Sequence, residues 1–304
     1  MLGARRAGTV SEIRTGGWLV RIVIALIVVI WLIPTLGVLV TSFRPENLVV
    51  TSGWWTALVH PFRAAEWTLE NYQTALDAQG FGNAFLNTMA VALPSTVIPI
   101  TIAAFAAYAF SWMDFRGRYV MFVAVVGLLV VPLQMALIPI LKLYANGLVV
   151  AGWRLFPDLD LNGTFLAVWL AHTGFGLPLA TYLLRNYIGS LPSSIIESAK
   201  IDGADHFTIF WRLIIPLSVP ALAAFAIFQF LWVWNDLLVA YVFLGGSSQN
   251  QVLTIALKNL LGGRGEDWQV LTAASFITMS LPLVVFFSLQ KYFVRGLTAG
   301  AVKG

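Results

Sequence analysis

Six runs free of Asp, Glu, Lys and Arg set the limits on this fold: Ile22–Phe43, Ala78–Met113, Tyr119–Leu141, Leu161–Leu184, Leu213–Asn235 and Trp268–Gln290. A helix needs about 20 mostly apolar residues to cross a bilayer, and each run is long enough to do so once. In hydrocarbon no water is available to the backbone, so such runs must satisfy their own N–H and C=O groups as helices. The polar start of the second run (Gln79, Asn83, Asn87) delays its helix, and the fifth is expected to continue past Asp236. The predicted spans are 20–42, 84–111, 119–141, 162–185, 214–244 and 268–291. They lie in a membrane domain over 18–293, with cytoplasmic segments 1–17 and 294–304 at its ends. The expected class is an all-α integral membrane protein with six transmembrane helices.

Composition agrees. Hydrophobic residues make up 59% of the chain and charged ones 11%, against about 25% charged in soluble domains. That much apolar surface exceeds what one soluble core can bury, so a soluble enzyme or nucleic-acid-binding domain is a poor fit and lipid is the expected surrounding. The chain has no Cys, which excludes disulfides and Cys-ligated metals. Arg5 and Arg6 precede the first run as in a signal peptide. Its apolar stretch is longer than the roughly 7–15 residues of such a core and no A-x-A site follows, so a retained helix is expected.

Basic residues give the orientation. With the N-terminus inside, 12 Lys and Arg fall on the cytoplasmic side and 6 outside, which favours cytoplasmic termini. Two long external loops result. Arg44–Asn83 carries Trp54, Trp55 and Trp67 and is expected to form an interfacial or external cap; Gly245–Asp267 is expected to protrude with a small helix over Val252–Leu261.

Catalytic patterns are missing. None of the five lysines follows a glycine, so there is no phosphate-cradling P-loop. His60, His172 and His206 are scattered, and neither H-E-x-x-H nor G-x-S-x-G occurs. No catalytic residue, metal site or cofactor is assigned to this chain. Asp236, beside Asn235, is the clear intramembrane carboxylate. It fits either the ion site of a stand-alone secondary transporter or an ordering role in the bundle, because burying charge in lipid is costly in both cases.

Between the fourth and fifth spans, 187–217 is too polar to cross a membrane and too patterned for a plain linker. Ser194 and Glu197 have capping-box spacing, and Ile195, Ile196 and Ala199 give the helix 194–201 an apolar side. Gly203 suits the left-handed position after a helix. A second amphipathic segment, Phe207–Ile215, brings Phe207, Phe210 and Trp211 before Pro216 opens the next span. Two short helices at a bend suit either a docking surface or a rest on lipid headgroups.

Glu197-Ser198-Ala199, then Gly203, then Leu213-Ile214-Ile215-Pro216 resembles the EAA loop of binding-protein-dependent ABC importer permeases, E-A-A-x₃-G-x₉-I-x-L-P. Asp202-Gly203-Ala204 matches its common D-G-A extension, with Ser198, Leu213 and Ile215 as conservative departures. Trp234-Asn235-Asp236 resembles the W-N-[DE] element of carbohydrate permeases, and the tail from Gly296 to Gly304 is similar to that of maltose-type, MalG-like subunits. The resemblance implies a sugar importer for an oligosaccharide or α-glucoside. Its partners are a MalF-like second permease, a MalK-like ATPase dimer that binds ATP and Mg, and an extracytoplasmic sugar-binding protein. It implies a cytoplasmic helix-bend-helix coupling loop in which Glu197, Asp202 and Gly203 shape the bend while Ile195, Ile196, Ala199, Ala204 and Phe207 touch the ATPase. The tail residues Thr298, Ala299, Gly300 and Lys303 would contact the ATPase pair, and the loop 245–267 would reach the binding protein. Gln134, Gln229, Asn235 and Asp236 would line the path, and Ala103, Ala104, Ala107, Ala221 and Ala224 would pack against the second permease.

Overall fold

The computed structural model describes residues 17–78, 80–245, 249–260 and 267–299, with 292–299 as backbone only. The N-terminal segment 1–16, Gln79, the loop stretches 246–248 and 261–266, and the tail residues 300–304 lie outside the described residues. In chain order the helices are α1 (Gly17–Ser42), α2 (Glu46–Thr51), α3 (Trp55–Val59), α4 (Glu70–Asp77), α5 (Phe81–Trp112), α6 (Arg118–Gly127) and α7 (Leu133–Asn146). After strands β1 (Leu148–Val150) and β2 (Trp153–Phe156) follow α8 (Phe165–Ile188), α9 (Ser193–Ile201), α10 (His206–Ile209), α11 (Ile215–Trp234), α12 (Leu238–Leu244), α13 (Leu253–Leu260) and α14 (Trp268–Ala299). Among the described residues five helices are long and apolar enough to cross a membrane, and α6 with α7 makes a sixth crossing if the bent pair counts as one.

The chain divides into two compact units, residues 1–75 with 261–276 and residues 76–260 with 277–304. In the first, α1 is apolar nearly all round and little buried, as a lipid-facing helix must be. Past its end, Arg44 is 1% exposed. Its guanidinium donates to the Ser52 carbonyl (3.2 Å), the Ser52 hydroxyl (2.7 Å) and the Thr56 hydroxyl (3.0 Å), and lies 3.5 Å from the Glu66 carboxylate. Asn71 donates to the carbonyls of Ser42 and Arg44, and the Tyr72 and Ser42 hydroxyls pair at 2.8 Å. Gly37 gives room to Trp54, whose indole nitrogen would sit 2.8 Å from an added Cβ. The predicted cap is therefore folded around a buried Arg–Glu pair, and Trp54 packs on α1.

In the second unit α5 and α8 pack lengthwise. Their contact faces are small: Ala84, Ala92, Ala103 and Ala107 on α5, and Ala167 and Ala180 on α8, are each fully buried. Small residues let backbones approach where lipid supplies no hydrophobic drive. Ala103, Ala104 and Ala107 are thus spent inside this chain, which corrects their assignment to the second permease; Ala221 also packs on this cluster. Gln229 of α11 is 0% exposed and donates to the Ser95 carbonyl at 3.1 Å. Its amide lies over Gly176, where a Cβ would come within 2.7 Å of Oε1.

Four predicted helices differ. The third span is broken: α6 ends in a 3-10 turn, Leu128–Val130, and α7 leaves at 106° to it. Pro132 lacks an N–H and drives Val131 to ψ 116°, out of the helical region. The fifth begins earlier and stops earlier. From His206 it runs through a π-helical turn, Phe210–Ile214, into α11, so the second elbow segment is the root of the span itself. It breaks at Asn235–Leu237 before α12, so it does not pass Asp236 intact. The last helix runs on to Ala299, beyond the expected end at 291, because no proline or glycine pair stops it. The fourth lies three residues later than expected, with Thr164 as its N-cap accepting from the Ala167 N–H at 3.3 Å. One element departs from all-α: β1 and β2 pair antiparallel around Ala151 (φ 51°) and Gly152 (φ 82°), the two positive φ values of a tight hairpin turn.

Breaking the Arg44–Glu66 pair leaves a buried charge uncompensated, which costs about 3–5 kcal/mol. Arg44→Met should lower the thermal midpoint in detergent and open 44–77 to protease. The double change with Glu66→Met should recover most of the loss, and an Arg44→Met protein as resistant as wild type would remove Arg44 from this role.

Candidate functional site

The elbow between α8 and α11 is built by three local devices. Helix α9 starts at Ser193 behind Pro192, with no side-chain cap. The expected capping box of Ser194 and Glu197 does not form, since Ser194 already lies within the first turn, where its hydroxyl cannot reach an orphan N–H. At the other end Gly203 takes φ 81°, its N–H donates to the Lys200 carbonyl (3.1 Å), and the Ala204 N–H donates to the Ala199 carbonyl (2.9 Å). That pair of bonds is a Schellman stop, and the predicted left-handed glycine is present.

Asp205 caps the next helix, accepting from the Thr208 N–H at 2.8 Å. Hydrogen bonds from the Thr208 side chain and backbone hold its carboxyl below the ordinary carboxylate range. Sequence reasoning passed over this residue, although Asp before His206-Phe207-Thr208 is a preferred N-cap pattern. The π turn then closes with the Ile215 N–H on the Phe210 carbonyl. Such five-residue steps are rare and often lie at functional positions.

The elbow is keyed into the bundle on one side. Ile196, Ile209, Phe210 and Ile214 are buried against Ala103, Ala107 and Tyr108 of α5 and Leu184 and Ile188 of α8. Phe105 stacks on Phe210 at 4.4 Å, and the Tyr108 hydroxyl pairs with His206 Nδ1 at 2.8 Å. The Trp112 indole donates to the Ile188 carbonyl. Ile196 is 2% exposed, so it belongs to this interior and not to an outward contact surface, correcting its predicted role. Leu213 is half-buried and packs on the same cluster.

The other side is open. Glu197, Ser198, Asp202, Gly203 and Pro216 are exposed, Ile195 is moderately so, and Ala199 and Ala204 are half-buried. Phe207 is 67% exposed and Ile201, which sequence analysis did not single out, is 86% exposed. Its signal was available: an isoleucine in the last turn before D-G, off the apolar stripe that carries Ile196.

The predicted path residues are not brought together. Gln134 is exposed in the first turn of α7. Gln229 is wholly interior, which removes it from a path surface. Asn235 is exposed and donates to the Leu231 carbonyl at 2.8 Å. Asp236 lies at the helix break: its carboxylate accepts from the Ala240 N–H at 3.0 Å, and its carbonyl accepts from the Thr254 hydroxyl at 2.7 Å. It thereby caps α12 and ties α13 to the break. His172 of α8 is 0% exposed, with Nε2 3.7 Å from the Asp236 carboxylate and no hydrogen bond to either ring nitrogen. A cavity of about 540 Å³ between α7 and α8 is lined by Pro132, Tyr144, Phe175 and Trp232, without Gln134, Asn235 or Asp236. No cluster of three His, Asp or Glu among the described residues is placed to hold a metal ion. Thr298 and Ala299 end α14, while Gly300 and Lys303 lie outside the described residues.

Several helices of membrane length, packed around a capped elbow, define a multi-pass membrane protein. The family model "Binding-protein-dependent transport system inner membrane component" matches residues 99–299, and the chain belongs to that family. It is 55% identical to the osmoprotective compounds uptake permease protein GgtD of Synechocystis sp., over 93% of this chain and 91% of that one. It is 44% identical to the alpha-glucoside transport system permease protein AglG of Rhizobium meliloti, over 94% and 97% of the two. Among solved structures, a chain of a bacterial ABC transporter that imports the polysaccharide alginate shares the fold, with a TM-score of 0.72 at 20% identity over 95% of this chain and all of that one. The protein is thus a multi-pass permease subunit of an ABC importer.

An added Cβ at Gly203 meets no atom within 4 Å, so a substitution there costs only its backbone conformation. At a left-handed position that is about 1–2 kcal/mol. Gly203→Val should speed amide exchange across Ser193–Ile201, and Gly203→Asn should restore most of the protection. Equal exchange in all three would show that the Schellman stop does not hold α9.

Proposed function

We propose that this chain is half of the membrane path of an ATP-driven importer for an α-glucoside or related oligosaccharide, moved by ATPase subunits through the elbow. The observation that carries the coupling role is the two-sidedness of the elbow. One face, Ile196, Ile209, Phe210 and Ile214, is locked into α5 and α8; the other leaves Ile201 and Phe207 bare beside a rigid stop. A push on the bare face is transmitted to the bundle, since α9 is bounded by Pro192 and Gly203 and has no slack. Large exposed apolar side chains at such a bend favour a protein partner over solvent.

The same reading puts the termini and the elbow in the cytoplasm and the caps 44–77 and 249–260 outside, following the basic-residue bias. ATP and Mg belong to MalK-like partners, the other half of the path to a MalF-like permease, and delivery to a sugar-binding protein. The chain itself is non-catalytic in this scheme. The relative named for alpha-glucosides supports an α-glucoside cargo, and the relative named for osmoprotective compounds adds such solutes to those worth testing.

The test is reconstitution of the whole complex with its binding protein in vesicles, with α-glucosides and osmoprotective solutes offered in turn. Ile201→Asp with Phe207→Asp should cut ATP-driven uptake at least tenfold while the chain still inserts and pairs with the second permease. Unchanged uptake by that variant would refute the coupling surface. Uptake by the chain alone on an ion gradient would refute the importer reading.

A further inference from the structure

The end of the bundle that carries the elbow also holds a guanidinium that the fold leaves unpaired. Arg185 stands in the last turn of α8. Its backbone is fixed there, the carbonyl accepting from the Ser111 hydroxyl at 3.3 Å and from the Gly189 N–H at 2.9 Å. The side chain crosses to α6, where the guanidinium carbon lies 4.9 Å from the centre of the Phe122 ring. Its Nε is buried without a hydrogen-bond partner. No carboxylate of a described residue lies within ion-pair distance of the group. A buried donor without an acceptor costs free energy, and a guanidinium seated on an aromatic face still offers N–H groups to an anion.

The surroundings are basic on one side and apolar on the other. Phe122 follows Arg118 by one helical turn, so the two share a face of α6. Arg118 donates to Asp114 and to the Met113 carbonyl, each at 3.0 Å, which occupies the acidic side chain of that corner. Arg116 is exposed next to it in the chain. The undescribed segment 1–16, on the same side by the basic-residue bias, sets Arg5, Arg6 and Arg14 against Glu12 and so brings no net negative charge. Along α6, Tyr119, Val120 and Val123 are exposed. A soluble anion would use the guanidinium and leave that apolar flank bare. A phosphate head joined to acyl chains uses both, and basic pockets between membrane helices at the cytoplasmic surface suit anionic lipid head groups.

We infer that the corner between the end of α8 and the start of α6 binds the phosphate of an anionic phospholipid, with Arg185 donating to its oxygens and the flank of α6 lying along its acyl chains. The inference goes beyond the proposed function and takes only its orientation from it. The complex purified through this chain is placed in nanodiscs of dioleoylphosphatidylcholine and dioleoylphosphatidylglycerol, and the lipid it retains is counted by native mass spectrometry. Wild type should keep the phosphatidylglycerol in preference. Arg185→Gln should lower that retention at least fivefold, and Arg185→Lys, which keeps the charge without the planar fork, by a smaller factor. Arg116→Gln, an exposed change outside α6, should retain as much as wild type. On the unaltered complex, phosphatidylglycerol should raise the thermal midpoint in detergent and inorganic phosphate should not, a reading that no folding defect can obscure.

Equal retention of phosphatidylglycerol by wild type and Arg185→Gln overturns the inference. Stabilisation of the wild type by inorganic phosphate as strong as that by the lipid overturns it in favour of a soluble anion. Loss of the ATPase subunits from the Arg185→Gln complex, with lipid retention unchanged, overturns it in favour of a protein contact. Solute uptake enters none of these readings, so failure of the lipid site is told apart from failure of the importer reading.

Discussion

Every backbone N–H and C=O that enters hydrocarbon must find a partner inside the protein, and the rest of this structure follows from that demand. Most of the chain meets it with uninterrupted helix, tolerating Pro94 and Pro99 within α5. Where helix stops in mid-run, other groups take over the freed positions. At the break after α11, the Asn235 side chain occupies the Leu231 carbonyl, the Asp236 carboxylate takes an N–H of α12, and Thr254 reaches the Asp236 carbonyl. One charged residue is affordable there because it finishes two helix ends at once. The same economy leaves His172 beside it with both ring nitrogens unbonded, a polar group with room for one more partner.

How the elbow is held explains why a short loop can act as a machine part. Aromatic and branched side chains from α9, α10 and the π turn enter a slot lined by alanines on α5 and α8. Interiors packed at crystal-like density are stiff. A displacement of α9 is therefore passed on rather than absorbed. The polar contacts Tyr108–His206 and Trp112–Ile188 add direction to packing that would otherwise be merely tight.

Much of this was legible in the sequence because lipid simplifies the code. Apolar length located the spans, and a glycine with D-G-A spacing located the stop of α9, which forms at φ 81° as expected. Where the reading failed, the deciding information lay in three dimensions. Pro132 breaks its helix while Pro94 and Pro99 do not, and local sequence does not distinguish them. The predicted capping box at Ser194 lost to a start one residue earlier behind Pro192. Polar residues near the expected path sorted by burial alone: Gln229 turned inward as a clamp between helices, whereas Gln134 stayed out. The alanines of α5 were rightly read as close-packing residues but assigned to the wrong neighbour, since composition does not say which helix comes next.

The five-residue step at Phe210–Ile214 sets a phase. An α-helix turns about 100° per residue, so a wide turn at this point rotates everything before it relative to α11. Ile209 and Phe210 thereby share an inward direction with Ile214, while Phe207 and Trp211 point away. Loss of one residue from that turn would leave the helix continuous and the membrane span intact, yet swing the bare face of the elbow around its axis like a gear remounted one tooth out.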